Sequence, residues 1–254
     1  MSKFITKETI NRLLKDVKQL IKFPLTNNGI YYIHDDTDIL KGYAMIVGPE
    51  DTPYFGGYYL FEFMFPYDYP FSPPKLTFMT NNGFTRFNPN LYKCGKVCVS
   101  ILNTWSGDKW SSCQTINSIL LTLCSILNNE PLLNEPGQNK NSFDFEPYQK
   151  SIEYVNIDFA ICDLLLLKQK TNYNEKMTNL ISLFYPFMKD KFIINYDKIL
   201  SFITLKEKDK ENEISRVSIY SMTTNIDYKV LKDKLIETKK SIDFIFINKI
   251  ETNI

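Results

Sequence analysis

The stretch "GPEDTPYFGGYYLFEFMFPYDYPFSPPKLTF", residues 48–78, decides the fold. Residues 58–65 read as a strand, and "KLTFMT", beginning at Lys75, reads as another. Between them "FPYDYPFSPPK" fits neither helix nor central strand, because its prolines lack an N–H donor and fix their own backbone angles. It reads as a rigid loop displaying aromatic rings. Upstream, residues 30–35 and 42–47 are two further strand patterns, and turn chemistry in "GPEDTPYFGG" separates the second from the third. Four strands with short connections predict an antiparallel meander.

Moving outward, Ile10, Leu13, Leu14, Val17, Leu20 and Ile21 recur at helical spacing behind Thr6, a residue suited to capping, and Pro24 stops the pattern. Downstream, Ile116, Ile119, Leu120, Leu123 and Leu127 restore that period over residues 114–127, which predicts a central helix. Further helical patterns cover residues 148–169, 175–189 and 228–240, with a charge-dense break, "KEKDKENE", at 206–213. The expected class is α+β: an amino-terminal domain over residues 1–150 and a helical extension over 151–254, packed on or beside it.

Composition excludes several functions. Thirty basic residues against twenty-nine acidic ones leave a net charge of +1, so no global field holds nucleic acid or an anionic membrane. The apolar run "FAICDLLLL", residues 159–167, is too short to span a bilayer. Five cysteines at irregular spacing, without a signal peptide's apolar core, argue against a secreted disulfide framework and for a reducing, cytoplasmic compartment. Abundant Ile, Asn, Lys and Tyr suggest an A+T-rich genome; in a viral source, the compartment becomes the host cytoplasm, and the nucleus is a further option. His34 is the single histidine, so a Cys-His hydrolase would depend on it alone. Cys94 and Cys98 have no second ligand pair, which argues against a metal, and no phosphate-binding glycine loop occurs, so no cofactor is expected.

Several motifs in order then carry a resemblance: the amphipathic helix, the 48–78 stretch, "FNPNLY" from Phe87, "GKVCVSIL" from Gly95 and "WSS" from Trp110. Across most of residues 1–140 the chain resembles the ubiquitin-conjugating enzyme family. Asn88-Pro89-Asn90 stands where that family has His-Pro-Asn, and Cys98 lies eight positions after Asn90, the interval that marks the thioester-forming cysteine. Cys94, just before Gly95, occupies a turn position. The loop "NTWSGDKWSS", the "NEPG" from Asn134 and the pattern "YQKSIEYVNIDFAICDLL" beyond resemble the branch with a carboxy-terminal helical extension.

The resemblance implies a catalytic set of Cys98, Asn90 and Glu135. It also implies ligase binding through Phe71, Ser112 and Cys113, and activating-enzyme binding through Lys7, Arg12 and Lys15. The implied partners are ubiquitin or a ubiquitin-like modifier, its activating enzyme, a ligase and protein substrates. Each residue also has a plainer reading. Cys98 would be a buried thiol, Asn90 a loop brace, Glu135 a solvated turn residue and Phe71 a lid on the core, while the lysines would be a solvated helix face. Trp110-Ser111-Ser112-Cys113 departs from the family's Trp-Ser-Pro-Ala, which bears on the choice of ligase. At the level of function the alternative is a catalytically inactive ubiquitin-binding variant of the same fold.

Overall fold

Thr6 caps helix α1, Lys7–Lys22, by accepting from the Thr9 N–H at 3.1 Å, and Leu13 and Leu20 carry its buried face. The computed structural model describes residues 4–167, 175–209 and 212–251. Four strands follow α1: β1 Ile30–His34, β2 Lys41–Val47, β3 Tyr58–Met64 and β4 Lys75–Phe78, in the spatial order β1-β2-β3-β4. The antiparallel register runs from Ile30 opposite Ile46 to His34 opposite Gly42, and from Phe61 opposite Phe78 to Met64 opposite Lys75. The meander expected from the sequence is present. Its aromatic core stacks Tyr59 on Phe78, with Phe87 edge-on to both.

Helix α2, Ile116–Ile126, opens with a capping box in which Thr115 and Ser118 exchange hydrogen bonds, and it buries Ile116, Ile119, Leu120 and Leu123. Helix α3, Phe145–Val155, does not stay α-helical to its end. Residues Asn156–Asp163 form a π-helix before the short helix α4, Leu164–Leu167. Residue 169, where the sequence reading ends this helix, lies outside the described residues.

Two differences concern the carboxy-terminal region. Helix α5 runs over Glu175–Asp209, through Pro186 and well past residue 189, so the charged segment at 206–209 is helical, while residues 210–211 of that segment lie outside the description. An antiparallel hairpin then follows, β5 Glu213–Val217 and β6 Met222–Ile226, before α6, Tyr228–Glu251. The region is therefore helices plus a hairpin. Its buried side chains alternate along both strands, but the strands are short and rich in Ser, Thr and charge, which hid the period-2 signal. Asp144 anchors the hairpin turn by accepting from the Ser218 and Ile219 N–H groups at 2.8 and 2.9 Å, and Ser215 donates to the Pro147 carbonyl at 2.8 Å.

The residues gather into two compact units. One holds Met1–Thr52 and Tyr59–Asn141; the other holds Ser142–Ile254 together with Pro53–Tyr58 from the β2–β3 connection. Within the second unit, the Asn156 amide donates to the Phe55 carbonyl at 2.9 Å, and the Tyr58 hydroxyl donates to the Met188 carbonyl at 2.7 Å. On α6, Lys234 binds Asp158 at 2.5 Å and Asp163 at 3.0 Å, which fixes the two ends of the π-helix. Among the described residues, no helix is long and apolar enough to cross a membrane.

Candidate active site

Cys98 sits at the end of a turn whose left-handed backbone favours glycine. Gly95 has φ +86°, and a Cβ there would lie 3.0 Å from the Phe78 carbonyl oxygen. The Gly95 carbonyl accepts from the Phe78 N–H at 2.8 Å, so the turn is fastened to β4. Cys94, at the tip, is exposed. Cys98 is only 2% exposed, and its backbone is bonded in both directions to one residue. Its N–H donates to the Asn90 carbonyl at 2.9 Å, and its carbonyl accepts from the Asn90 side-chain amide at 2.6 Å. Thr104 then steadies the following residue, accepting from the Val99 N–H at 3.0 Å.

Asn90 is part of a wider amide cluster. The Asn88 side-chain oxygen Oδ1 accepts from the Asn90 N–H at 2.9 Å, while the Asn88 side-chain NH2 donates to the Ile126 backbone carbonyl at the end of α2, at 2.8 Å. Asn134 donates to the same Ile126 carbonyl at 3.0 Å and accepts from Asn128 at 2.9 Å. Asn88 is fully buried, so the residue standing where the family has histidine is a structural bridge between the 88–90 turn and α2. Sequence reasoning missed this cluster, because its members are distant along the chain and asparagine carries no spacing signal. Glu135 is half-buried and directly follows Asn134, on the same turn.

Other groups are poor candidates for the chemistry. Burial pushes the Cys162 thiol up to about 12, so it stays protonated and unreactive. His34 has both ring nitrogens engaged inside its own hairpin, Nδ1 with the Tyr32 hydroxyl at 2.8 Å and Nε2 with the Ile39 carbonyl at 2.9 Å. A groove of about 600 Å3 runs beside the turn, lined in part by Pro73, Lys75, Thr77, Cys94, Lys96 and Thr104.

A "Ubiquitin-conjugating enzyme" family model matches residues 12–155, more than half of the sequence. The chain belongs to the ubiquitin-conjugating enzyme family. The Xenopus tropicalis protein "Ubiquitin-conjugating enzyme E2 Z" is 41% identical over 161 residues, covering 62% of this chain and 51% of that protein. The human protein of the same description is 42% identical over 157 residues, covering 61% and 44%. The chain thus spans about half the length of the curated relatives it matches. The solved structure of human ubiquitin-conjugating enzyme E2 G1 is 32% identical, with a TM-score of 0.41 over 48% of this chain and 94% of that one.

The other residues that the sequence singled out lie on α1 and on two loops. Phe71 is 63% exposed on the proline loop, and Ser112 and Cys113 are exposed just before α2. The Trp110 indole N–H donates to the Pro70 carbonyl at 2.7 Å and so ties these loops together. Lys7 and Lys15 are exposed on α1. Arg12 is not a free cation: its guanidinium bonds Asp16 at 3.0 Å, the Ser112 carbonyl at 2.6 Å and the Gln114 carbonyl.

Proposed function

We propose that the protein accepts ubiquitin or a ubiquitin-like modifier as a thioester on Cys98 and passes it to a lysine or to a ligase. The observation that carries this reading is the two-way bond between Asn90 and the Cys98 backbone, which fixes the one cysteine at the family's interval. In the loading step, the Cys98 thiolate attacks the thioester carbonyl of the modifier held by its activating enzyme, whose thiolate leaves. Exchange of one thioester for another is near balance and needs no strong base. In discharge, a lysine amine attacks the Cys98 thioester, the thiolate leaves and an isopeptide bond forms.

The amine is the harder partner, because roughly one part in a thousand of free lysine is neutral near pH 7.4. Glu135 is assigned to help remove its proton. Asn90 is assigned to the oxyanion: one amide hydrogen holds the Cys98 carbonyl, leaving a second for the tetrahedral intermediate. Phe71, Ser112 and Cys113 form the ligase surface, while the exposed Lys7 and Lys15 meet the activating enzyme; Arg12, held by Asp16 and by the Ser112 and Gln114 carbonyls, is left out of that contact. The chemistry belongs to residues 1–150, and the remainder selects among activating enzymes. The cytoplasm, with the nucleus, is the proposed site of action.

The test uses purified activating enzymes, ATP and tagged modifiers. The intact protein should form an adduct that thiol reductant cleaves, Cys98→Ser an ester that resists it, and Cys98→Ala none. Asn90→Ala keeps the backbone bond to Cys98 and should still load, while its discharge to free lysine should slow far more than its loading, by about a hundred- to a thousandfold, the usual cost of one oxyanion donor. An adduct that persists in Cys98→Ala and vanishes in Cys94→Ala would move the site to the other sulfur. If no modifier loads at all, the inactive ubiquitin-binding variant becomes the better reading.

A further inference from the structure

Asp16 is a charged side chain on α1 that is 2% exposed, and neither of its partners belongs to the Cys98 site. The Tyr69 hydroxyl donates to one carboxylate oxygen at 2.5 Å, and Arg12 Nε donates to the other at 3.0 Å. Burial, and then the bond to Asp16, raises the Tyr69 phenol well above its ordinary range, so this hydroxyl remains the donor. Each partner leads to a different loop. Tyr69 is fully buried at the centre of the proline loop, two residues before Phe71, and its ring packs 5.9 Å from that of Trp110. Arg12, with its guanidinium 5.7 Å from the Tyr69 ring centroid, bonds the Ser112 and Gln114 carbonyls. The Trp110 bond to the Pro70 carbonyl closes the circuit, and Thr9 adds a fastening from α1 to the Tyr67 carbonyl at 2.8 Å.

A buried carboxylate is retained only where charged or polar partners satisfy it, and one that joins three separate segments fixes their relative position. We propose that Asp16 is a positioning residue for ligase-stimulated transfer: through Tyr69 and Arg12 it presets the two exposed loops bearing Phe71 and Ser112-Cys113 as a single rigid docking surface. This rests on the ligase reading above. Asp16 itself touches neither Cys98 nor the exposed surface. Its removal leaves the chemistry in place and lowers the fraction of molecules in which both loops are correctly set. Apparent ligase affinity falls by that same fraction.

Asp16→Asn places an amide where two donors converge, and Tyr69→Phe removes one donor while keeping the ring. Both variants are loaded with ubiquitin, and discharge is followed against increasing concentrations of purified ubiquitin ligase domains, well below the melting temperature of either protein. Loading and ligase-free discharge should match the unaltered protein. If the set arrangement falls to about a tenth of molecules, the ligase concentration giving half-maximal stimulation rises about tenfold, with the maximal rate retained. Hydrogen exchange in the ligase-free protein should quicken at residues 66–72 and 110–114 and stay unchanged in β1–β4. A merely stabilising role would lower the melting temperature without separating the half-maximal ligase concentration from the maximal rate. Unchanged ligase dependence in both variants overturns the proposal alone. If no ligase stimulates the unaltered protein, the ligase reading fails, and the proposal fails with it.

Discussion

His34 has its ring held by two partners of opposite demand. The Ile39 carbonyl can only accept, so Nε2 carries the hydrogen, and Nδ1 accepts from the Tyr32 hydroxyl. Burial lowers the His34 pKa, with the Ile39 carbonyl and the neighbouring Asp35, Asp38 and Asp36 opposing it. The unfolded chain therefore takes up this proton first as pH falls below about 6.5. Stability that is present above that pH is lost toward the lower folded-state value. His34→Gln should remove this contribution. In thermal melts between pH 7.5 and 5.5, the unaltered protein should lose more melting temperature than the variant; parallel curves would show that His34 does not titrate in this window. At this scale, the resemblance favoured Cys98 over Cys94 on its interval from Asn90, a one-dimensional property, and the structure adds the Asn90 bonds to the Cys98 backbone. Sequence reading took Arg12 for a surface contact, because nothing along the chain says that Ser112 and Gln114 stand opposite α1.

Elements with one strong period were legible. Helices α1 and α2 and the four strands lie close to their expected positions: the helices each bury one apolar face, and β3, buried along nearly its whole length, is a short continuous apolar run bounded by turn residues. The π-helix is different. Asn156–Asp163 keeps an apolar composition that reads as ordinary helix, and the contacts that accompany its i to i+5 winding, the Asn156 amide on Phe55 and Asp158 and Asp163 on Lys234, are to residues far away in sequence. The turn before Cys98 gives a test of how strictly an element sets the site. Gly95→Ala combines a left-handed φ with a Cβ 3.0 Å from backbone, a cost of about 1–3 kcal/mol for this kind of strain. The variant should melt at lower temperature and, because Cys98 follows three residues later, should load more slowly even where it is fully folded. Loading at the unaltered rate would mean that the Asn90 bonds alone position Cys98.

At the scale of the whole molecule, the second compact unit takes in Pro53–Tyr58, far from Ser142 in sequence. No linear pattern announces this. The "PYFGG" stretch reads as turn chemistry, whereas Tyr54 and Tyr58 are fully buried, and Lys198 on α5 sits 4.6 Å from the Phe55 ring centroid. A chain ending at Asn141 removes every other residue of that unit. It should still load at Cys98 but melt lower and aggregate more readily than the full chain, since Tyr54, Phe55 and Tyr58 lose their cover. Phe55→Ser in the shortened chain should recover part of the solubility, and equal melting of short and full chains would show that the hexapeptide is held some other way. The polypeptide passes between its two units at 52/53, 58/59 and 141/142, and this bears on heredity. A single recombination breakpoint cannot transplant the second unit onto another conjugating domain intact, because part of it is encoded inside the first. Inheritance of the carboxy-terminal region is thereby linked to that of a short internal loop, and the two are expected to change together or not at all.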